Sequence, residues 1–199
     1  MDDISLLEAI EFARSRKVLL PSDYYKLDVA TRRYAATVSQ LATIDQIQTV
    51  LDAAHKTLKE GGTFNDFQNL VEAGDIKLSK NHLDNIFRTN TQNAYAHGRW
   101  QHQQSNKEKR QYLMYWAIED SRTRPGHLKL HRIIRHIDDA FWKTFYPPNG
   151  YRCRCGVRAI TEKQALRYGI TPDDQLPDVS IIDKGWNFCL LYTSDAADE

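Results

Sequence analysis

Cysteine, glycine, proline and long apolar runs are all scarce in this chain of 199 residues, which has three Cys, nine Gly and six Pro. The thiols, Cys153, Cys155 and Cys189, are an odd and sparse set, which excludes a disulfide framework. Two of them stand two residues apart, a spacing from which side chains rarely reach disulfide geometry, so a reducing compartment is expected. No apolar run approaches the ~20 residues that span a bilayer, and no membrane partner is expected. The opening Met-Asp-Asp-Ile-Ser-Leu-Leu is acidic where a secretory leader would be basic, and Glu8 and Glu11 break its apolar stretch. Export by that route is not expected. Several enzyme signatures are also missing: no His-Glu-x-x-His, no Gly-rich phosphate loop and no motif framing a Ser or Cys nucleophile. What is present, 41% hydrophobic and 11% aromatic residues, excludes wholesale disorder and suffices for one domain or a small two-part body.

Charge is nearly balanced in total, 27 Lys and Arg against 26 Asp and Glu, but not along the chain. Residues 86–160 carry 14 basic and 5 acidic side chains, a net of +9 between two acidic flanks. Such a segment could meet nucleic acid or an acidic protein surface, or pair with its own flanks on folding. Both readings stay open at this level.

The first half reads as helices. Ile4, Leu7, Ile10 and Phe12 share one face of a short helix ending about Arg16. Pro21 opens a second, with Ser22 or Asp23 as its cap. Ile44, Ile47, Leu51, Ala54 and Leu58 repeat with helical period until Gly61-Gly62. Thr63 caps the next helix, which buries Phe64, Phe67, Leu70 and Val71, and Ser79 caps a longer one running toward Trp100. That helix is amide-rich from Asn90 to Gln104, a face expected to be solvated or to serve as a protein interface.

The pattern changes after Arg110. Tyr112 to Ile118 reads as a buried strand, Glu119 to His127 as a polar turn, and Leu128, Leu130 and Ile134 as a helix. Phe141, Trp142, Phe145 and Tyr146 form an aromatic cluster, and Pro147-Pro148-Asn149-Gly150 a stiff turn. Cys153 to Ile160 reads as a second strand, Thr161 caps a last helix near Tyr168, and beyond Gly169 the acidic, Pro-punctuated chain reads as a wrapped loop. The fold class is α+β: a mostly helical N-terminal half with a small C-terminal β-containing module. The expected organisation is a helical scaffold over 1–105, a signature module with the Cys-x-Cys hairpin over 106–188, and a tail over 189–199.

Two constellations carry chemistry. Cys153-Arg154-Cys155 can present two thiolates to one zinc ion, with His127 as a further ligand and His131 a candidate fourth if the intervening stretch is helical. Four protein ligands would leave no open position for water, which points to a structural site. Asp120, Arg122, Arg124 and His127 form a compact polar group beside a strand end. It reads either as an acid/base or phosphate site or as a network tying the turn to the Cys hairpin. The network is preferred, because no reaction can be assembled from the residues present.

As a set, these residues resemble the phage Mu F-like minor head proteins, related to the SPP1 gp7-type head-morphogenesis family. The resemblance rests on Phe87-Arg88-Thr89-Asn90 with Ala94-Tyr95 and Gly98-Arg99, and on Asp120 with Thr123-Arg124-Pro125-Gly126-His127. Phe141-Trp142, Pro147 through Cys155 and Asp183-Lys184-Gly185-Trp186 complete it, over roughly residues 5–188. It implies a minor capsid protein of a tailed phage or prophage, bound to portal and capsid subunits at the head interior or portal vertex after assembly in the bacterial cytoplasm. It brings no established catalytic activity. Its signature positions are Asp120, Arg124, His127, Cys153 and Cys155, and His131 is not among them. The basic 86–160 segment would suit phage DNA. Alternatives from other classes are a zinc-dependent hydrolase or nuclease, and the delivery module of a toxin. After Phe188 the chain departs from the family pattern, and 189–199 resembles translated adapter sequence joined to a truncated reading frame.

Overall fold

The computed structural model describes residues 11–12, 14–28, 31–183 and 186. The expected helix face of Ile4, Leu7 and Ile10, the tail 189–199 and Cys189 lie outside them. The chain divides into two compact units, residues 1–98 and 99–199.

In the first unit, strand β1 (Lys17–Val18) pairs in parallel with β2 (Ala35–Ala36). Helix α1 (Pro21–Tyr24) is capped by Leu20 without a side-chain bond, not by Ser22 or Asp23. Pro21 causes the difference: its fixed φ already suits the first helical position and it has no N–H to satisfy. Helix α2 (Ile44–Lys59) starts where Thr43 accepts a hydrogen bond from the Gln46 N–H. It ends where Gly61 N–H donates to Leu58 O at 3.2 Å and Gly62 N–H donates to Thr57 O at 2.8 Å. That pattern needs a left-handed residue, and Gly61 supplies φ +64°. Helix α3 (Phe64–Ala73) begins with a reciprocal box between Thr63 and Asp66, and Ser79 Oγ accepts from His82 N–H at the start of α4 (Lys80–Ser105). The apolar faces of α2 and α3 meet the start of α4 in one core containing Ile47, Val50, Leu51, Phe67, Val71, Leu83 and Ile86. Phe67 stacks on Phe87 with ring centroids 5.2 Å apart.

The amide-rich face of α4 is not simply solvated. Asn93 and His97 are buried, Phe12 stacks on His97 at 3.9 Å, and Arg16 donates to Asn90 Oδ1 at 2.9 Å. His55 of α2 is also buried, and the loss of hydration pulls both it and His97 down to about 4.

The second unit is built on a three-stranded antiparallel sheet in the order β4–β3–β5, with β3 (Tyr112–Trp116) between β4 (Ile134–His136) and β5 (Gly156–Ile160). Met114 lies opposite Ile134 on one side and Arg158 on the other. Three short helices complete the unit: α5 (Pro125–Leu128), α6 (Phe141–Phe145) and α7 (Glu162–Tyr168), the last started by a Thr161/Gln164 capping box. Met114, Ile134, Ile160 and Ala165 form a small core against Tyr112 and Trp116.

Both outer edges of the sheet are occupied. Gln103 Nε2 donates to Val157 O at 3.0 Å and Arg110 to Ala159 O at 3.1 Å along β5, while Thr171 exchanges hydrogen bonds with Ile134 along β4. Gln103, also expected on a solvated helix face, is therefore buried, and its Oε1 accepts from the Tyr146 hydroxyl at 2.9 Å.

The α+β class stands, with three local corrections. The expected helix through Leu128, Leu130 and Ile134 stops at Leu128. Arg132 turns the chain at φ +67° and donates its N–H to Tyr115 O, so Ile134 enters a strand instead. β3 ends at Trp116 and not at Ile118. β5 starts at Gly156, leaving Cys153 and Cys155 on the segment that precedes it.

Candidate metal centre

The three segments that carry the signature residues converge beside the sheet. Pro125 starts α5 and brings His127 inward, with only 1% of its surface exposed. The Pro147–Gly150 turn leads through Arg152, at φ +57°, so that Cys153 and Cys155 face the same ring at 2% and 9% exposure. His127 Nδ1 stands 3.6 Å from Cys153 Sγ and 3.9 Å from Cys155 Sγ, and the three donor atoms all lie within 4.8 Å of one another. Both cysteines are free thiols. His127 Nε2 is buried with no hydrogen-bond partner.

The thiols act on each other. The hydrogen bond from Cys155 holds Cys153 well below the ordinary thiol value, helped by His127 and the Asn149 backbone N–H. Its hydrogen bond to Cys153 and its burial push Cys155 up. Burial beside the two sulfurs raises Tyr115 well above its usual range. The Tyr115 hydroxyl reaches Cys155 and donates to Asn149 Oδ1 at 2.7 Å. Asn149 is completely enclosed, and its Nδ2 has no partner.

An arginine fork locks the outside of this trio. Arg154, between the two cysteines, donates to Asp120 Oδ2 at 2.8 Å and Oδ1 at 2.5 Å, and to Thr123 Oγ1 at 3.2 Å. These bonds hold the Asp120 carboxyl well below the usual carboxylate range. Asp120 also accepts from the Arg122 N–H at 3.0 Å, which fixes the turn. The Arg122 side chain reaches Asp120 only at 3.5 Å and is 79% exposed, so it adds little to the lock. Arg124 donates to Tyr151 O at 2.9 Å and pairs with Asp183 at 3.0 Å, tying the turn to the last described segment. Gly126 permits that approach, since a Cβ there would run into the Ile181 carbonyl.

The structure thus brings together Asp120, Arg124, His127, Cys153 and Cys155, with Arg122 at the rim. His131 stands apart: its Nδ1 accepts the Ala117 N–H at 3.1 Å, and its ring lies against Trp116. Among the described residues no fourth His, Cys, Asp or Glu joins the trio. Sequence reasoning gave Tyr115 no part in the site, and named Thr123, Asn149 and Asp183 only within turns and the resemblance, without a role in the site. Tyr115 carries the one usable signal, a polar tip on an inward-facing strand position that needs a partner. In composition the trio could serve as a zinc ligand set or as a Cys–His nucleophile pair. Cys153 is enclosed, with 2% of its surface exposed.

Fold and site together define an α+β protein whose small sheet is clasped by a buried His/Cys trio under an arginine–carboxylate lock. The profile described as phage Mu protein F-like matches residues 48–158, and the chain belongs to that family. It is 30% identical over 184 residues to protein F of Escherichia phage Mu, whose name assigns it to capsid assembly, covering 82% of this chain and 42% of that protein. It is 45% identical over 164 residues to the Mu-like prophage FluMu F protein of Haemophilus influenzae, covering 74% of this chain and 39% of the relative. The chain therefore spans about two fifths of the length of these curated relatives. No solved structure matches it.

Proposed function

We propose that the chain is a structural part of phage head morphogenesis, docking on portal and capsid subunits and transforming no substrate. One observation carries the reading: the family match over residues 48–158 takes in the whole clasp, from Asp120 to His127 and from Cys153 to Cys155. The closed construction of that clasp supports a docking role, because its sulfurs and imidazole face each other and not solvent. The name of the phage Mu relative supports an assembly role at the head, in the virion and, before that, in the host cytoplasm.

The basic segment satisfies much of its charge within the chain, which tells against a DNA-binding surface. Arg154 is engaged by Asp120, Arg124 by Asp183, Lys107 by Asp138, and Arg135 by both Asp139 and Asp173. A duplex-binding surface would instead hold such side chains toward phosphates and lose affinity steeply with salt. Among the described residues no helix is long and apolar enough to cross a membrane.

The test follows a tagged chain in cells producing a Mu-like phage. It should co-sediment with purified heads and crosslink to portal or capsid subunits. Exclusion from heads overturns the reading, as does hydrolysis of DNA or peptide by the purified chain, or salt-steep duplex binding with no protein crosslink.

A further inference from the structure

We propose that His127, Cys153 and Cys155 hold a zinc ion as an internal cross-link of the 99–199 unit. The argument begins with what the three side chains lack. Two sulfurs and a ring nitrogen are enclosed within 4.8 Å of one another, and two thiol protons at most are available to separate them. A cation among them satisfies all three at once.

The spacing suits zinc. Bonds of ~2.3 Å to sulfur and ~2.0–2.1 Å to nitrogen, set tetrahedrally, require sulfur–nitrogen edges of about 3.6 Å. The two sulfur–nitrogen edges are 3.6 and 3.9 Å, close to that value, and all three donors lie within 4.8 Å of one another. The donor chemistry agrees: thiolate with imidazole selects zinc over the oxygen-seeking magnesium and calcium. Charge agrees as well, since two thiolates and a neutral imidazole cancel the two positive charges of the ion and leave a neutral group in a low-dielectric interior.

The surroundings support thiolate ligands. Asn149 N–H points at Cys153, and the Tyr115 hydroxyl reaches Cys155. Arg154, between the two cysteines in sequence, is held by Asp120, which anchors the backbone segment that carries both sulfurs. The site joins the α5 turn to the segment before β5, 26 residues further on, in a unit whose sheet has only three short strands. Three protein ligands leave the fourth tetrahedral position to a non-protein donor such as water, so the structural role rests on the enclosure of the ligands and not on a complete protein set.

The decisive measurement uses the untagged wild-type chain. We expect about one zinc per chain by elemental mass spectrometry, a Tm that falls on chelation and recovers when zinc is returned, and a thiolate-to-metal absorption band on cobalt substitution. The double variant Cys153→Ser/Cys155→Ser and His127→Gln should each lose the metal. Since such variants can misfold, the chelation and reconstitution of the wild-type chain decide the matter alone. A chain isolated without metal whose Tm ignores both chelator and zinc overturns the proposal. So does a full zinc complement retained by a folded Cys153→Ser/Cys155→Ser variant, or another ion at this site.

Discussion

Replacing Tyr115 by Phe deletes one oxygen from the middle of the second unit and asks whether the turn beside the cysteines is held by hydrogen bonding or by shape alone. Tyr115 is fully buried, and its hydroxyl donates to Asn149 Oδ1 at 2.7 Å. Asn149 is equally enclosed and its Nδ2 already lacks a partner, so the variant strips its carboxamide of this bond as well. Orphaning a buried polar group costs about 1–3 kcal/mol. The phenyl ring keeps the rest of the packing, so little is added for a cavity. We therefore expect a loss of about 2 kcal/mol, which lowers Tm by roughly 4–8 °C in a chain of this size. Urea unfolding by circular dichroism checks it, with excess chelator in every sample so that no metal contributes to either protein. The double variant Tyr115→Phe/Asn149→Leu removes both ends of the bond and should recover part of the loss, because two apolar groups in contact need no partner. A Tyr115→Phe variant within about 0.5 kcal/mol of the parent, the range of an ordinary surface change, would refute the reasoning.

Three further outcomes are expected. His55 and His97 are each pulled down to about 4 by burial, below the ~6.5 of the unfolded chain, so the unfolded state binds more protons between those values. The stability gained by keeping them neutral is complete above about pH 6.5 and is lost as pH falls toward 4, at most about 3 kcal/mol per ring. A urea midpoint that stays flat from neutral pH down to 4 contradicts this. Asp120→Asn keeps the shape of the lock but removes the charge that Arg154 grips, and should weaken zinc affinity about 10–100-fold in a competition titration. Unchanged affinity would detach the lock from the ligands. Gly126→Ala drives a methyl group into the Ile181 carbonyl and should cost about 1–3 kcal/mol, with faster amide exchange over residues 179–183. Normal exchange there would show that the segment does not depend on this contact.

The parts of the fold that could be read from the sequence are those fixed by near neighbours. Thr63, Ser79 and Thr161 cap helices, and Gly61-Gly62 ends one, because each bond joins residues a few positions apart. Readings failed where a distant segment decides the outcome. Leu128 to Ile134 has helical spacing, but Ile134 is claimed by Met114 across the sheet, and Arg132 turns the chain to allow it. Asn93, His97 and Gln103 look like a solvated face until Phe12, Tyr146 and Val157 arrive from elsewhere in their own units. The site divides the same way. His127, Cys153 and Cys155 were legible as a group because few residue types offer such ligands. Asn149 and Asp183 stood inside the resembling stretches with no role assigned, because carboxamides and carboxylates occur everywhere and only the folded turn selects these two.

The arginines explain why the same residues invite a catalytic or nucleic-acid reading. A sheet with strands of five, three and five residues makes few ladder hydrogen bonds, so the long segments that pack Leu130, Ile137 and Trp142 around it are not held by the ladder. Such a sheet needs cross-links from its loops. Arg124 and Arg154 supply them to the turn, Arg135 to Thr171 and Asp173, and Arg110 to the outer edge of β5. Arg158 lies over the Trp116 ring at 3.6 Å and covers one sheet face. Each guanidinium reaches a carboxylate, a carbonyl or an aromatic ring with a fixed fork that lysine lacks. The positive segment and the paired thiols then do one job, tying long loops to a sheet whose strands are too short to hold those loops through ladder hydrogen bonds alone.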